Sequence, residues 1–370
     1  MARDPALLKR IGCSEKPPSA HQPAQPSRRE KDVRKRFFKM SGIAVVLACA
    51  FLLMPSFGRA AADCTTPAIA PGWQVVTVHS GGLNREVPLY IPASAAGRSD
   101  IPLVFDLHGS GRNGRQQALR SGLTALADRH GFLLANPNGG IADPDSPTDK
   151  FYWHVPGVPL SDSVQMPANA PDDVQFFRDA IRQLEQAACV DPRRIYVTGF
   201  SGGGRMASAL ACELSDRIAA TAPVSGLRAG VPRAGDFEAA DTKTCEPHRA
   251  ISIITFHGVH DPTNRFDGDG KPRWGYSVQV ALERWGHIDG CQGNPSKQMV
   301  STHVTKVTYQ GCRQTAELIL YRTDAPVEHG GGHIWPHSST SAQESTLAAE
   351  QVDQLDASAL IWEFFSRHQL

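Results

Sequence analysis

Short apolar runs alternate with longer amphipathic stretches along most of the chain. Leu103 to Leu107, Phe132 to Ala135, Arg194 to Thr198, Ala219 to Val224 and Ile251 to Phe256 are rich in apolar and β-branched residues, with little polar alternation. Such runs predict strands covered on both faces. Between them, Gln116 to Arg129, Asp172 to Ala188, Gly202 to Leu214 and Tyr276 to Trp285 have the length and spacing of helices. Two β-rich segments, Gln74 to His79 and Arg85 to Ile91, open the series around the turn-forming Ser80-Gly81-Gly82 and predict an antiparallel hairpin. A strand at Glu317 to Tyr321 and a helix at Asp356 to Phe365 close it. Strands joined by helical crossovers imply an α/β fold: a doubly wound, mostly parallel sheet with an antiparallel N-terminal hairpin. Asp172-Asp173 reads as an N-cap with a favourable charge-to-dipole contact. No fixed-period repeat or Ser/Thr/Pro-rich linker divides residues 63–370, which read as one catalytic domain.

Ahead of that body the pattern changes. Arg34, Lys35, Arg36 and Lys39 precede the apolar run Ile43 to Met54 and the small residues Ala60-Ala61-Ala62. This order is that of a secretory signal peptide, cleaved near Ala62. The run is shorter than the roughly 20 residues of a bilayer span, which disfavours an uncleaved anchor. Leu47 and Asp63 fit a lipoprotein site poorly, so a soluble product in the periplasm or outside the cell is expected. Residues 1–33, rich in Pro, Ser and Gln, resemble neither export signal nor packed domain; Val33 fits an initiation codon read as valine, which would leave them untranslated.

Charge and cysteine content sharpen this picture. Residues 63–370 carry 26 basic and 33 acidic side chains, the wrong sign for a phosphate-backbone binder, so nucleic acid is excluded as a partner. No stable membrane association is expected. Of eight cysteines, six follow the leader, at 64, 189, 212, 245, 291 and 312. An even set in an exported chain suggests three disulfides. Cys291 with Cys312 is the favoured pair, since they flank one short segment; Cys212 with Cys245 is second, placed at one sheet edge by the predicted elements.

The chemistry is concentrated after the predicted strand at 194–198. There Gly199-Phe200-Ser201-Gly202-Gly203 matches G-x-S-x-G between a strand and a helix. A nucleophilic serine on such a turn needs tiny residues two before and two after it, so that neighbouring backbone can approach. The following helix aims its N-terminal amides at the serine, making the Gly202 N–H an oxyanion donor. A second donor is expected from His108-Gly109-Ser110-Gly111, which follows the strand at 103–107, through the Ser110 or Gly111 N–H. His108 reads as a loop-ordering hydrogen bonder, not the base.

Serine hydroxyl is a weak nucleophile and needs a base oriented by a carboxylate, in chain order Ser, acid, His for this fold. Asp261 lies just past the strand at 251–256, with Asp267 and Asp269 as rivals in the same loop. His333 ends the glycine run in Glu328-His329-Gly330-Gly331-Gly332-His333-Ile334-Trp335-Pro336, with His329 and His337 competing. The three histidines have helical metal-ligand spacing, but the glycines and Pro336 exclude a helix there. No metal is expected.

HGSG, GFSGGG, HGVHD and GGGHIWP in this order, with CVDPRRIYVTGFSGGGRMA and WGYS, resemble the polyhydroxybutyrate depolymerase and feruloyl esterase branch of the α/β hydrolases. The resemblance covers most of residues 63–370. It implies Ser201 as nucleophile, Asp261 as acid and His333 as base; His260 departs from it, where relatives more often carry a small residue. The expected function is a secreted serine esterase acting through an acyl-enzyme on small-molecule or polymeric esters. The esters are short-chain or hydroxyalkanoate, or alternatively feruloyl or acetyl esters on plant polysaccharide. A serine peptidase of the same fold and a non-catalytic binding protein are the rivals. The mechanism requires no metal or organic cofactor. Tyr152, Trp153, Trp274, Tyr276 and Trp335 are expected in loops as an aromatic wall of a shallow acyl or aryl site.

Overall fold

The computed structural model describes residues 70–327, 330–336 and 355–370, all within the unit Ala60–Leu370. The leader, Cys64, His329 and His337 lie outside the described residues. The strands are β1 (Gly72–Ser80), β2 (Leu83–Ile91), β3 (Ile101–Leu107), β4 (Leu133–Ala135), β5 (Ile141–Asp143), β6 (Ser146–Tyr152) and β7 (Val190–Phe200). They continue with β8 (Ala220–Val224), β9 (Pro232–Arg233), β10 (Asp236–Ala240), β11 (Ser252–Gly258), β12 (Gln292–Ser301), β13 (Val304–Gln310) and β14 (Leu318–Thr323). The helices are α1 (Gly114–Ser121), α2 (Leu123–His130), α3 (Asp173–Ala187), α4 (Gly202–Glu213), α5 (Val278–Ile288) and α6 (Ala357–Ser366).

Ten strands form one sheet in the order β1-β2-β4-β3-β7-β8-β11-β14-β13-β12. Its six inner strands, β4 to β14, pair in parallel, and an antiparallel hairpin flanks each edge. Every residue of β3, β8 and β11 is buried, as their apolar runs require. Side chains alternate between two cores because the strand period is two. Leu103, Phe105 and Leu107 share one core with Phe176 of α3, Leu210 of α4 and Trp285 of α5. Val104 and Ile254 join the other, with Leu126 of α2 and Phe364 of α6.

The N-terminal hairpin is as its sequence predicts. The second hairpin, β12–β13, was not expected. Its outer strand, QGNPSKQMVS, is almost wholly exposed, with Pro295 and Lys297 in it and two breaks in its register. Such edge-protecting features remove the apolar signal that reveals a buried strand. The predicted helix over Gln116 to Arg129 is two helices, because Gly122 takes a left-handed conformation (φ +63°) that caps α1. Asp172 caps α3 by accepting from the Gln175 N–H at 3.0 Å, whereas Asp173 is buried and pairs with Arg85 at 2.6 Å.

Disulfides join Cys212 to Cys245 and Cys291 to Cys312, as expected. Cys189 is also disulfide-bonded. Among the described residues, no helix is long and apolar enough to cross a membrane.

Candidate active site

Ser201 stands between β7 and α4 with φ +55° and ψ −112°, a conformation rare for serine and strained. Two backbone hydrogen bonds hold it there: Ser201 N–H donates to Val224 O at 2.9 Å, and Arg205 N–H donates to Ser201 O at 3.0 Å. The flanking glycines are sterically required. A Cβ on Gly199 would lie 2.6 Å from Gly203 C, and one on Gly203 would collide with the Leu107 carbonyl. Strand β3 therefore runs tight beneath the turn and delivers its loop against the serine.

That loop is fixed by His108, which is fully buried. Its Nδ1–H donates to Gly109 O at 2.8 Å and its Nε2 accepts from Gly139 N–H at 2.9 Å. Burial lowers its pKa to about 4, so the ring is neutral. Ser110 follows, with its backbone N 2.9 Å from where a Gly202 Cβ would sit. The Gly202 and Ser110 amides are thus neighbours beside Ser201.

Asp261 follows the carboxyl end of β11. Its Oδ1 accepts from Thr263 N–H and Asn264 N–H, both at 2.8 Å, and its Oδ2 accepts from His333 Nδ1–H at 2.7 Å. Burial alone would raise this carboxyl, but the hydrogen bond and charge of His333, His257 and the Asn264 amide hold it below its ordinary value. The His333 ring packs on Phe200, next to the serine, at 4.7 Å between centroids. Among the described residues the Ser201 hydroxyl makes no hydrogen bond to His333; such contacts commonly tighten only when substrate arrives. Neither rival aspartate meets His333: Asp269 Oδ1 instead accepts from Lys271 N–H and Gly275 N–H within its own loop.

The aromatic wall is not formed by the residues expected to build it. Trp153, Trp274, Tyr276 and Trp335 are all buried. Their polar tips explain why. Trp153 Nε1–H donates to His108 O, Trp274 Nε1–H to Arg265 O and Trp335 Nε1–H to Ser358 Oγ, while the Tyr276 hydroxyl bonds Ala229 and Gly230 backbone. Each ring fills the core and each tip ties a loop down. Only Tyr152 of the five is half-exposed, its hydroxyl donating to Asp143 at 3.0 Å. In place of a wall, Arg205, Arg228 and Arg273 converge beside Ser110 around a cavity; scattered in sequence as GGGRMA, GLRAG and PRWG, they give no periodic or motif signal.

A ten-stranded, mostly parallel sheet, a strained serine at a strand-to-helix turn and an Asp–His pair from later loops define an α/β hydrolase. No protein-family model matches the chain. It is 30% identical over 310 residues to "Putative esterase NocK" of Nocardia uniformis subsp. tsuyamanensis, covering 79% of this chain and 80% of that protein. It is 29% identical over 255 residues to feruloyl esterase B of Piromyces equi, covering 67% of this chain but only 42% of that protein's length. Feruloyl esterase D of Neurospora crassa is 26% identical over 296 residues, covering 80% of this chain and 86% of that protein. The solved acetyl xylan esterase from Aspergillus awamori superposes with a TM-score of 0.53 at 16% identity, over 74% of this chain and 98% of that one, a likeness of fold. The chain belongs to the esterase branch of the α/β-hydrolase superfamily, a class of carboxylic-ester hydrolases.

Proposed function

We propose that residues 63–370 form an exported serine esterase in which Ser201 attacks the ester carbonyl and His333 takes its proton. Asp261 orients the imidazole and stabilises the imidazolium, and the Gly202 and Ser110 amides receive the oxyanion. The alcohol leaves with the proton from His333, and water, activated by the same histidine, then releases the acid. The observation that carries this reading is the 2.7 Å Asp261–His333 bond, built beside a serine held at positive φ. Nothing in this mechanism calls on a metal or organic cofactor.

Feruloyl or acetyl esters on plant polysaccharide and short hydroxyalkanoate esters are the proposed substrates. Relatives named feruloyl esterases support the first group. The disulfides Cys212–Cys245 and Cys291–Cys312 support export, with removal of residues 1–62. The test is hydrolysis of a panel of feruloyl, acetyl, hydroxybutyryl-oligomer and amide substrates by the purified protein, with a fluorophosphonate label mapped by mass spectrometry. Ester turnover with the label on Ser201 is expected. Labelling elsewhere, or turnover of amides alone, would defeat the assignment.

A further inference from the structure

Next to the arginines that contact Ser110 lies a small open cavity of about 30 Å³, lined by Arg205, Arg228 and Arg273 together with apolar Val155, Val158 and Val231. Arg205 and Arg228 are 5% and 7% exposed; Arg205 Nε has no hydrogen-bond partner, and the Arg228 guanidinium interacts with the Tyr276 hydroxyl but makes no well-formed hydrogen bond. Arg273 Nε is likewise buried and unpartnered. Arg228 Cζ stands over the Trp274 ring, 3.0 Å from its centroid, and over the Tyr276 ring at 4.5 Å, contacts that support its charge.

Among the described residues no carboxylate forms a direct ion pair with these arginines, although Asp162 and Asp269 favour their charge from a distance. Asp162 is half-exposed and pairs with Lys271 at 3.4 Å. Asp269 is turned into its own loop by Lys271 and Gly275 N–H groups. Glu213 borders the cavity from the far end of α4, eight residues or about 12 Å of helix from Arg205, and is exposed. Burial and the charges of Arg273 and Arg228 press Arg205 well below its ordinary pKa. Buried cations without a direct ion pair are costly, and two of them beside the half-buried Arg273 are more so.

The cluster is joined to the reacting centre. Arg273 Nη2 and Arg205 Nη2 donate to Ser110 Oγ at 3.2 and 3.4 Å, and Arg205 stands one turn of α4 after Ser201. We propose that Arg205, Arg228 and Arg273 form a carboxylate-binding subsite that selects esters carrying an acidic group a few bonds from the scissile carbonyl. This rests on the esterase reading above and narrows its substrate class. The acidic group could belong to the acyl part, as in a hemiester of a dicarboxylic acid or an acid-terminated oligomer, or to the alcohol part, as in an acidic sugar.

Two matched ester pairs separate these sources: para-nitrophenyl hydrogen glutarate against para-nitrophenyl butyrate, and 4-butyryloxybenzoate against its methyl ester. The kcat/KM ratio of acidic to neutral ester is expected to exceed one in one pair, and to fall about ten- to a hundredfold in Arg273→Gln and Arg205→Met. Should either variant misfold, calorimetry on the wild-type protein is expected to show saturable, salt-sensitive binding of glutarate but not of dimethyl glutarate. Ratios at or below one in both pairs, unmoved by the substitutions, or no glutarate binding, would overturn the subsite while neutral-ester turnover left the esterase reading intact. Hydrolysis of none of the four esters would remove the esterase reading, and glutarate binding would still decide the subsite.

Discussion

His333 and Asp261, 72 positions apart in sequence, meet through a 2.7 Å hydrogen bond in which Nδ1–H donates to Oδ2. With Nδ1 occupied, Nε2 is left as the only ring atom that can accept a proton. The second carboxylate oxygen is locked by two backbone N–H groups, so the acid cannot swing away. Ser201→Ala, His333→Ala and Asp261→Asn are expected to lower kcat on a short-chain aryl ester by about 10⁴ to 10⁶, with circular dichroism unchanged. Asp267→Asn is expected to stay within a few-fold of wild type. The reverse pattern at 261 and 267 would reassign the acid.

Acyl chain length gives a second expectation. With Trp153, Trp274, Tyr276 and Trp335 turned into the core, they line no apolar trench for a long chain, and the cavity near Ser110, although partly walled by Val155, Val158 and Val231, is small and carries three arginines. Each CH₂ left in water forgoes about 0.8 kcal/mol. Acetyl, butyryl and feruloyl esters are therefore expected to exceed palmitoyl esters in kcat/KM. A rise with length up to sixteen carbons would reveal a deep acyl tunnel.

Part of the acid sensitivity should be traceable to His108, with buried His257, also lowered to about 4, acting in the same sense. The folded-state pKa of His108, about 4, lowered first by burial and then by Arg85, lies below an unfolded value of about 6.5. The unfolded chain binds the extra proton, so this group's contribution to stability is full above pH 6.5 and is lost as pH falls toward 4. Asp106 and Asp289, each raised to about 7 by burial, act in the opposite sense between pH 7 and 4. The difference between wild type and His108→Gln cancels them. Urea unfolding at several pH values is expected to show a wild-type stability that falls more steeply, by up to about 1.4 kcal/mol per pH unit within that window. Parallel pH profiles would mean that His108 takes up a proton as readily in the fold as in the unfolded chain.

The disulfides span 33 and 21 positions. Restricting the unfolded chain over loops of that size is worth about 3 to 4 kcal/mol each. Cys212→Ser with Cys245→Ser is expected to lower Tm by several degrees, and alkylation before reduction should leave all four of these sulfurs unlabelled. Labelling of any of them in the native protein would contradict the pairing.

What the sequence disclosed follows from how local each constraint is. Gly199, Ser201 and Gly203 are legible because the turn's sterics are met within five residues, and Asp261 because it follows a buried apolar strand. His333 is legible through the glycine run before it. The four aromatic residues were misplaced because a loop's position says nothing about whether its ring turns outward or inward; the indole and phenol partners that turn them inward lie nine to 47 positions away. The convergence of Arg205, Arg228 and Arg273 arises only when α4, the loop after β8 and the loop after β11 come together.

The positive φ of Ser201 also limits which atoms can ever serve as nucleophile here. A β-branched side chain is a genuine outlier in that region of backbone space, whereas an unbranched one pays a smaller steric cost. Cysteine can therefore take the position with the fold intact, converting an oxygen ester intermediate into a thioester, but threonine cannot without forcing β7 and α4 apart. Ser201→Cys is expected to melt within a few degrees of wild type and Ser201→Thr well below it. Equal melting points would mean that the turn relaxes freely. The elbow thus acts as a filter on evolutionary exchange, leaving open the route from serine to thiol chemistry and closing the route to threonine.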